Sequence, residues 1–401
     1  MRRTGDLKLI QELNRSIVLD TIRQYGPISR VEISKKLNIS PTTVTSAVNE
    51  LIHEGLVRED GIGASSGGRK PILLRFDPNC YTLIGVSIRY STITIAEMNL
   101  EAQILRKEIF STHSLYGEAV ADFIIEKLKC FLNSDDSYKK CIGISVITQG
   151  LVDYDKGVIR YNPKLKMQNV PLKQILKTQF DLPTWLDNDT NAYILAEKYF
   201  GVHQNIQNMI YIEIGEGVGA GIFVNGTIFR GASGSAGEFG HTTIDRGGMK
   251  CDCGNNGCLE NYVSWPAIYS RILTFLSNGK DSVIKEMVNG DITKIAPDVF
   301  VKAVNLGDHL ALKILDEIVH YLASGIINLI HLFNPEAIIL GGEIILNNAI
   351  LLSKINEYVS KHALEAPLED VTIKSTSLGQ EFEMVGAASV ILQEKFQFTL
   401  N

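Results

Sequence analysis

The 401-residue chain is 45% hydrophobic and 21% charged, with a net charge of −6 at pH 7. That balance fits a folded globular protein of two or three domains and excludes a disordered or fibrous chain. No apolar run approaches the roughly 18 residues that cross a bilayer, and the opening MRRTGDLKLIQELNRS lacks the apolar stretch of a signal peptide, so a cytoplasmic, reducing setting without membrane contact is expected.

Residues 1–75 hold twelve Lys/Arg against eight Asp/Glu, a balance of +4 that leaves −10 on the remainder. A basic head on an acidic body suits a nucleic-acid-binding module joined to a second function, and equally a plain basic surface. Within the head, Leu9, Leu13, Ile17 and Ile22, widened by Val18 and Leu19, recur at helical spacing, and Gly26-Pro27 stops that helix. Ser29 and Glu32 have the spacing of a capping box, with Val31, Ile33 and Leu37 as its apolar contacts. Asn38-Ile39 makes a turn, Ser40 is a good N-cap and Pro41 fits the first helical position. In the next helix Val44, Ala47, Val48 and Leu51 fall on one face. Thr42, Thr43, Thr45, Ser46 and Asn49 fall on the other, where short polar side chains can reach base edges and phosphates. Two strands then flank the glycine-rich GIGASSGGRK, with Arg69 and Lys70 at its end. Two helices, a tight turn and this hairpin predict a winged helix-turn-helix that binds DNA. Arg69 can lie along the DNA backbone or enter a narrow, A/T-rich minor groove.

From about residue 80, short apolar strands alternate with helices. Strands are expected in YTLIGVSIRYSTITIAEMNL, CIGISVI, MIYIEIG, AGIFVNGTIFRG and AIILGGEI, with helices over 116–132 and 307–332. The order predicts an α/β fold with two sheet-centred lobes, the cleft between them being the expected ligand site. The expected segments are a head over 1–78, a first lobe over 79–190 completed by a helix over about 383–401, and a second lobe over 191–382.

Three of the six cysteines fall within residues 251–258, in GEFGHTTIDRGGMKCDCGNNGCLE. His241, Cys251, Cys253 and Cys258 make a Cys3His set suited to tetrahedral Zn2+, and four protein ligands leave no open position, so the ion is expected to be structural. Gly254 and Gly257 let the backbone wrap closely around it.

This stretch, E-x-G-H followed by C-x-C-G-x-x-G-C-x-E, resembles the signature of the ROK family, named for repressors, open reading frames and sugar kinases. The resemblance extends through LDNDTNAYILAEKYFG, GEGVGAGI, IILGGE and GAASVI, and so spans residues from about 80 to the end. The head is similar to that of the family's repressor branch. The resemblance implies a two-lobed actin-like, sugar-kinase-like (ribonuclease H-like) fold behind the winged head. It implies a sugar site in which Asn188 and Asp189 hold hydroxyls on one side of the ring and Glu238, His241 and Glu260 hold the other, with Asn162 as a further contact. Charge-assisted bonds from carboxylates to hydroxyls suit that role. His241 would bind zinc through one ring nitrogen and sugar through the other. Asp187 and Asp189 also read as helix caps, and Lys164 and Lys166 as a solvated face.

In the family's kinases the counterpart of Asp189 is the general base. The phosphate loops depart from that pattern. Where the kinases carry D-x-G-G-T, this chain has Ser87-Ile88-Arg89-Tyr90-Ser91, and Glu216 stands where they usually have threonine. Bulky side chains and a carboxylate there oppose a triphosphate. A non-enzymatic regulator is therefore expected: a repressor that binds palindromic, A/T-rich operator DNA as a homodimer or dimer of dimers and releases it on binding a sugar. The alternatives are an ATP-dependent hexose kinase with an appended head and a repressor governed by a protein partner. Xylose, glucose, an N-acetylhexosamine phosphate or an oligosaccharide all suit the polar set.

Overall fold

The computed structural model describes residues 7–63, 70–112, 115–133 and 140–396. The chain divides into two compact units. One comprises Met1–Ile147, Pro171–Leu186 and Ala387–Asn401; the other comprises Thr148–Val170 and Asp187–Gly386. Residues 148–170, 187–190 and 383–386, expected with the first lobe, fall in the second unit, and the head over 1–78 falls in one unit with the first lobe.

The first unit opens with the helix Leu7–Tyr25. Val18, Leu19 and Ile22 are its buried face, while Leu13, expected in that stripe, is exposed; at 100° per residue it lies well round the helix from them. The strand Ile28–Ser29 leads into the helix Arg30–Leu37, whose Ser29 and Glu32 form the reciprocal capping box. Asn38 ends it in the left-handed conformation, φ 53°. Ile33 is buried but Val31, two residues and some 200° away, is exposed. Ser40 caps the helix Pro41–His53, accepting from the Thr43 N–H, and Val44, Ala47, Val48 and Leu51 are buried. Each such Val or Leu contributes about 1.5–3 kcal/mol of burial. The strands Val57–Ile62 and Ile72–Phe76 pair antiparallel, and the latter also pairs with Ile28–Ser29. Helices and hairpin together form the expected winged head.

That head is tied to the rest of its unit by Tyr81, whose hydroxyl donates to the Glu54 carbonyl at 3.1 Å, and by Ser16, whose hydroxyl donates to the Phe396 carbonyl at 3.0 Å. The five-stranded sheet of the unit runs Thr184–Asn188, Cys141–Thr148, Thr82–Ile88, Thr92–Asn99, Ile104–Ser111. Its edge strand Ile104–Ser111 was not anticipated; Arg106, Lys107 and Glu108 interrupt its apolar pattern, as suits an exposed edge.

In the second unit a five-stranded sheet runs Thr227–Ile228, Val218–Val224, Met209–Ile214, Ala337–Gly341, Thr372–Ser375. Met209–Ile214 is antiparallel to Val218–Val224 and parallel to Ala337–Gly341. The 25-residue helix His309–Phe333, capped by Asp308, presses Leu310, Ile314, Leu315, Ile318, Leu322, Ile326 and Ile330 into this unit's core. A small antiparallel sheet of Leu151–Asp153, Val158–Asn162 and Met167–Val170 completes the unit.

Candidate functional site

Two sets of residues carry chemistry. On the head, Thr42, Thr45, Ser46 and Asn49 are exposed on the helix Pro41–His53 and Thr43 is half-buried. The Thr43 hydroxyl lies 2.8 Å from that of Ser40, and the Thr45 hydroxyl donates to the Pro41 carbonyl at 2.8 Å. Both hydroxyls therefore have local partners, whereas Thr42 and Ser46 are exposed. The Arg30 guanidinium reaches the Asn49 side-chain oxygen at 3.4 Å and Glu59 at 3.8 Å. This places a cation beside the polar face, which the sequence reading missed because Arg30 opens the preceding helix. Lys70 is exposed; Arg69 lies outside the described residues.

In the second unit the polar set converges on the backbone of the strand Val218–Val224. The sequence GEGVGAGI looks like a phosphate loop, yet its glycines serve contact between elements. A Cβ on Gly221 would sit 2.4 Å from the Thr190 carbonyl oxygen, and one on Gly219 would sit 3.1 Å from the Thr190 methyl. The start of the helix Asp189–Phe200 lies directly on this strand. A Cβ on Gly217 would be 2.9 Å from a Glu260 carboxylate oxygen, which accepts from the Val218 N–H at 2.9 Å.

Asn188 is the N-cap of the helix Asp189–Phe200. Its side-chain oxygen accepts from the Thr190 N–H at 2.9 Å and hydroxyl at 2.6 Å, and its amide donates to the Gly150 carbonyl at 3.0 Å. Asp189 is buried, and its carboxylate accepts from the Thr190 N–H at 2.9 Å. Asp187, read from sequence as a cap, instead accepts both nitrogens of Arg230, at 2.6 and 2.7 Å, and Arg230 lies 3.8 Å over the Tyr154 ring. Burial pushes the Asp187 carboxyl up, opposed by the guanidinium. Arg230 was missed because it lies 43 residues from Asp187 with no motif between them. The Asn162 side chain is engaged within its own loop, donating to the Gln149 carbonyl at 3.1 Å and accepting from the Leu165 N–H at 3.0 Å. Lys164 is half-buried and partnered: its ammonium donates to the Glu216 carbonyl and lies 3.6 Å from the Glu216 carboxylate, while Lys166 is exposed.

Glu238 is the N-cap of a turn of 3-10 helix, Phe239–His241, and His241 is its last residue. His241 Nε2 lies 3.9 Å from Glu238, and burial raises the Glu238 carboxyl above its usual range, with His241 drawing it down and Glu260 pushing it up. The other ring nitrogen, Nδ1, faces Cys251 Sγ at 3.6 Å. Cys253 and Cys258 sulfurs are also 3.6 Å apart, and one ligand atom from each of His241, Cys251, Cys253 and Cys258 lies within 4.8 Å of the others. Burial pushes the Cys258 thiol up to about 12 and Cys251 above its usual value, while the Asn255 N–H lowers Cys253. Packing several thiolates together is unfavourable without a cation to balance them, and a bound metal supplies that charge. The loop is closed by Gly257, at φ 67°, whose missing Cβ would meet the Asp245 carbonyl at 1.6 Å. Tyr262, donating to Asp245 at 3.0 Å, ties the loop to the helix Glu260–Val263. The cluster can hold a metal ion.

The ROK family model matches residues 83–394. The chain belongs to the ROK family. Residues 14–58 match a winged helix-turn-helix DNA-binding model, so this ROK member carries a DNA-binding module ahead of its body. It is 32% identical over 401 residues to the xylose repressor of Caldicellulosiruptor bescii, with 98% of this chain and 99% of that one covered. It is likewise 32% identical over 388 residues to the DNA-binding transcriptional dual regulator NagC of Escherichia coli K12, covering 96% and 94%. The solved structure of a ROK family transcriptional regulator, a homolog of the E. coli MLC protein, matches with a TM-score of 0.84 at 29% identity over 98% of both chains. Solved ROK sugar kinases share the fold of the body. Among the described residues no helix is long and apolar enough to cross a membrane.

Proposed function

We propose that this ROK protein is a sugar-responsive transcriptional repressor, which holds operator DNA through its winged head and releases it when a sugar binds the polar set of the second unit. The observation that carries the reading is the helix Pro41–His53: a buried apolar face paired with an exposed face of short, uncharged hydrogen-bonding groups, on a head that precedes a ROK body. Thr42, Ser46 and Asn49 read bases or phosphates, with Thr43 and Thr45 at the margin and Lys70 beside the strand Ile72–Phe76; Arg69, outside the described residues, is a further candidate from sequence. Recognition helices of this kind act in pairs on a palindrome, which calls for a homodimer or a dimer of dimers.

Asp189, Glu238, His241 and Glu260 bind the sugar. Asn188 acts mainly as the cap that orients Asp189, and Asn162 shapes the neighbouring loop. Zinc fits the thiol and imidazole set: a tetrahedral ion with Zn–S bonds of about 2.3 Å spaces its sulfurs about 3.8 Å apart, near the 3.6 Å between Cys253 and Cys258. Held by four side chains, the ion fixes the His241 ring so that Nε2 is presented beside Glu238.

Phosphoryl transfer is not its role. Ser87 is buried in place of the kinases' phosphate-loop acid, Glu216 opposes a triphosphate, and Gly341 makes room for the Tyr211 hydroxyl, 1.8 Å from where its Cβ would be. The kinase alternative rests on Asp189. A melting screen of the full chain against free and phosphorylated sugars, with and without Mg-ATP, decides between them. A native-state ligand at a hundredfold excess over Kd adds about 2.7 kcal/mol of stability. A sugar that raises the melting temperature and releases operator DNA in a mobility-shift assay supports the repressor. A shift with Mg-ATP, followed by sugar-dependent ADP release, replaces it with the kinase.

A further inference from the structure

Resting on that reading of the site, we infer that the effector is an uncharged sugar and not a sugar phosphate, and that the Lys164–Glu216 ion pair enforces the distinction. The strand Val218–Val224 and the turn before it gather carboxylates from distant parts of the sequence: Glu216 on the turn, Glu260 against the Gly217 and Val218 backbone, and Asp189 one residue before Thr190, which packs on Gly219 and Gly221. Glu238 lies beside His241. Among the described residues, two cations tied to this part of the unit, Arg230 and Lys164, are each held by a carboxylate. Arg230 makes two hydrogen bonds to buried Asp187, next to the cap Asn188. Lys164 is bound to the carbonyl and the carboxylate of a single residue, Glu216.

A phosphate dianion entering this region needs a cation. Drawing Lys164 from Glu216 leaves the Glu216 carboxylate uncompensated beside the incoming phosphate, a like-charge contact that offsets the new pair. Drawing Arg230 from Asp187 strands a buried carboxylate, which costs more than the exchange returns. Hydroxyls make no such demand. They donate to carboxylates in charge-assisted bonds while Lys164 and Arg230 keep their partners. The pair thus acts by excluding the wrong ligand as much as by binding the right one. Lys164 also links the turn Glu216–Gly217 to the loop that follows the strand Val158–Asn162, so the same contact positions the segment whose Asn162 and Leu165 are hydrogen-bonded to each other.

The test measures affinities of the full chain by titration calorimetry for xylose, glucose and N-acetylglucosamine, and for glucose 6-phosphate and N-acetylglucosamine 6-phosphate. It is repeated with Glu216→Gln, which keeps the side-chain shape and the backbone carbonyl that holds Lys164 but removes the carboxylate charge. The expected result is binding of one neutral sugar at least about tenfold tighter than any phosphorylated one. In Glu216→Gln the ratio of phosphorylated to neutral affinity rises by about tenfold or more. Preference of the wild type for a phosphorylated sugar overturns this inference and leaves the sugar-responsive reading standing. A neutral preference that Glu216→Gln does not shift removes the ion pair as its cause. If operator DNA is bound but neither these five sugars nor a panel of oligosaccharides is, the sugar-responsive reading itself fails.

Discussion

Ser29 and Glu32 show how much one pair of side chains fixes. The Glu32 carboxylate accepts from the Ser29 N–H at 2.8 Å and hydroxyl at 2.6 Å, while the Ser29 oxygen accepts from the Glu32 N–H at 3.3 Å. Those donors hold the Glu32 carboxyl below its ordinary value of 4.5. A carboxyl depressed in the folded state adds stability above its unfolded value, and that stability is lost as pH falls through the folded one. The melting difference between wild type and Glu32→Gln is therefore expected to be full near neutrality and to shrink at acid pH. Ser29→Ala is expected to cost about 1 kcal/mol by chemical denaturation. The metal cluster gives a second residue-scale expectation. Cys258→Ser removes a buried ligand, so the purified variant should hold less than one equivalent of zinc by elemental analysis and melt lower than wild type. Because the ion orients His241, sugar affinity should fall about 10–100-fold. An unchanged zinc content would exclude Cys258 as a ligand.

Elements are joined here by close backbone approach. The strand Val218–Val224 receives the helix Asp189–Phe200 on Gly219 and Gly221, and nothing larger than hydrogen fits at Gly221. Gly221→Ala is expected to lower stability by about 1–3 kcal/mol through overpacking and to weaken sugar binding by displacing Asp189, with operator binding retained; calorimetry and a mobility shift read the two effects separately. The helix Pro41–His53 makes the opposite case. Its exposed face carries no packing, so Thr42→Ala, Ser46→Ala and Asn49→Ala should each change stability by less than about 0.5 kcal/mol. Each that contacts a base should lower operator affinity by about 1–3 kcal/mol in a binding titration. A variant that loses DNA binding and melting temperature together would mark the residue as structural.

For the whole molecule the expectation is one of linkage. If sugar lowers operator affinity by some factor, operator must lower sugar affinity by the same factor. Titrating sugar into the free protein and into its operator complex, and operator into the free protein and into its sugar complex, at one salt concentration, should give the same coupling free energy from both pairs. Equal sugar affinities in the two titrations would show that the body does not regulate the head. Operator affinity should also fall steeply with salt, since lysine and arginine contacts to phosphate release counterions.

The sequence alone determined what depends on local pattern. Helix spacing, Ser29, Ser40 and Pro41 predicted the head, because caps and periodicity act within a few residues. His241, Cys251, Cys253 and Cys258 stood out as a set that can hold a metal because one short loop supplies all four donors. The ROK motifs singled out Asp189, Glu238 and Glu260 as sugar-binding candidates. What the sequence misread depends on contacts across the chain. Leu13 and Val31 are apolar but exposed; Asn188, and not Asp187 or Asp189, caps its helix; and the segment 148–170 joins the second unit. Arg230 finds Asp187, and Lys164 finds Glu216, across separations of 43 and 52 residues, and no local pattern records such pairings. Only the tertiary structure decided which polar groups were already engaged. A side chain's chemistry is written in its residue type, but whether its hydrogen bonds remain available for a ligand is settled by what folding brings beside it.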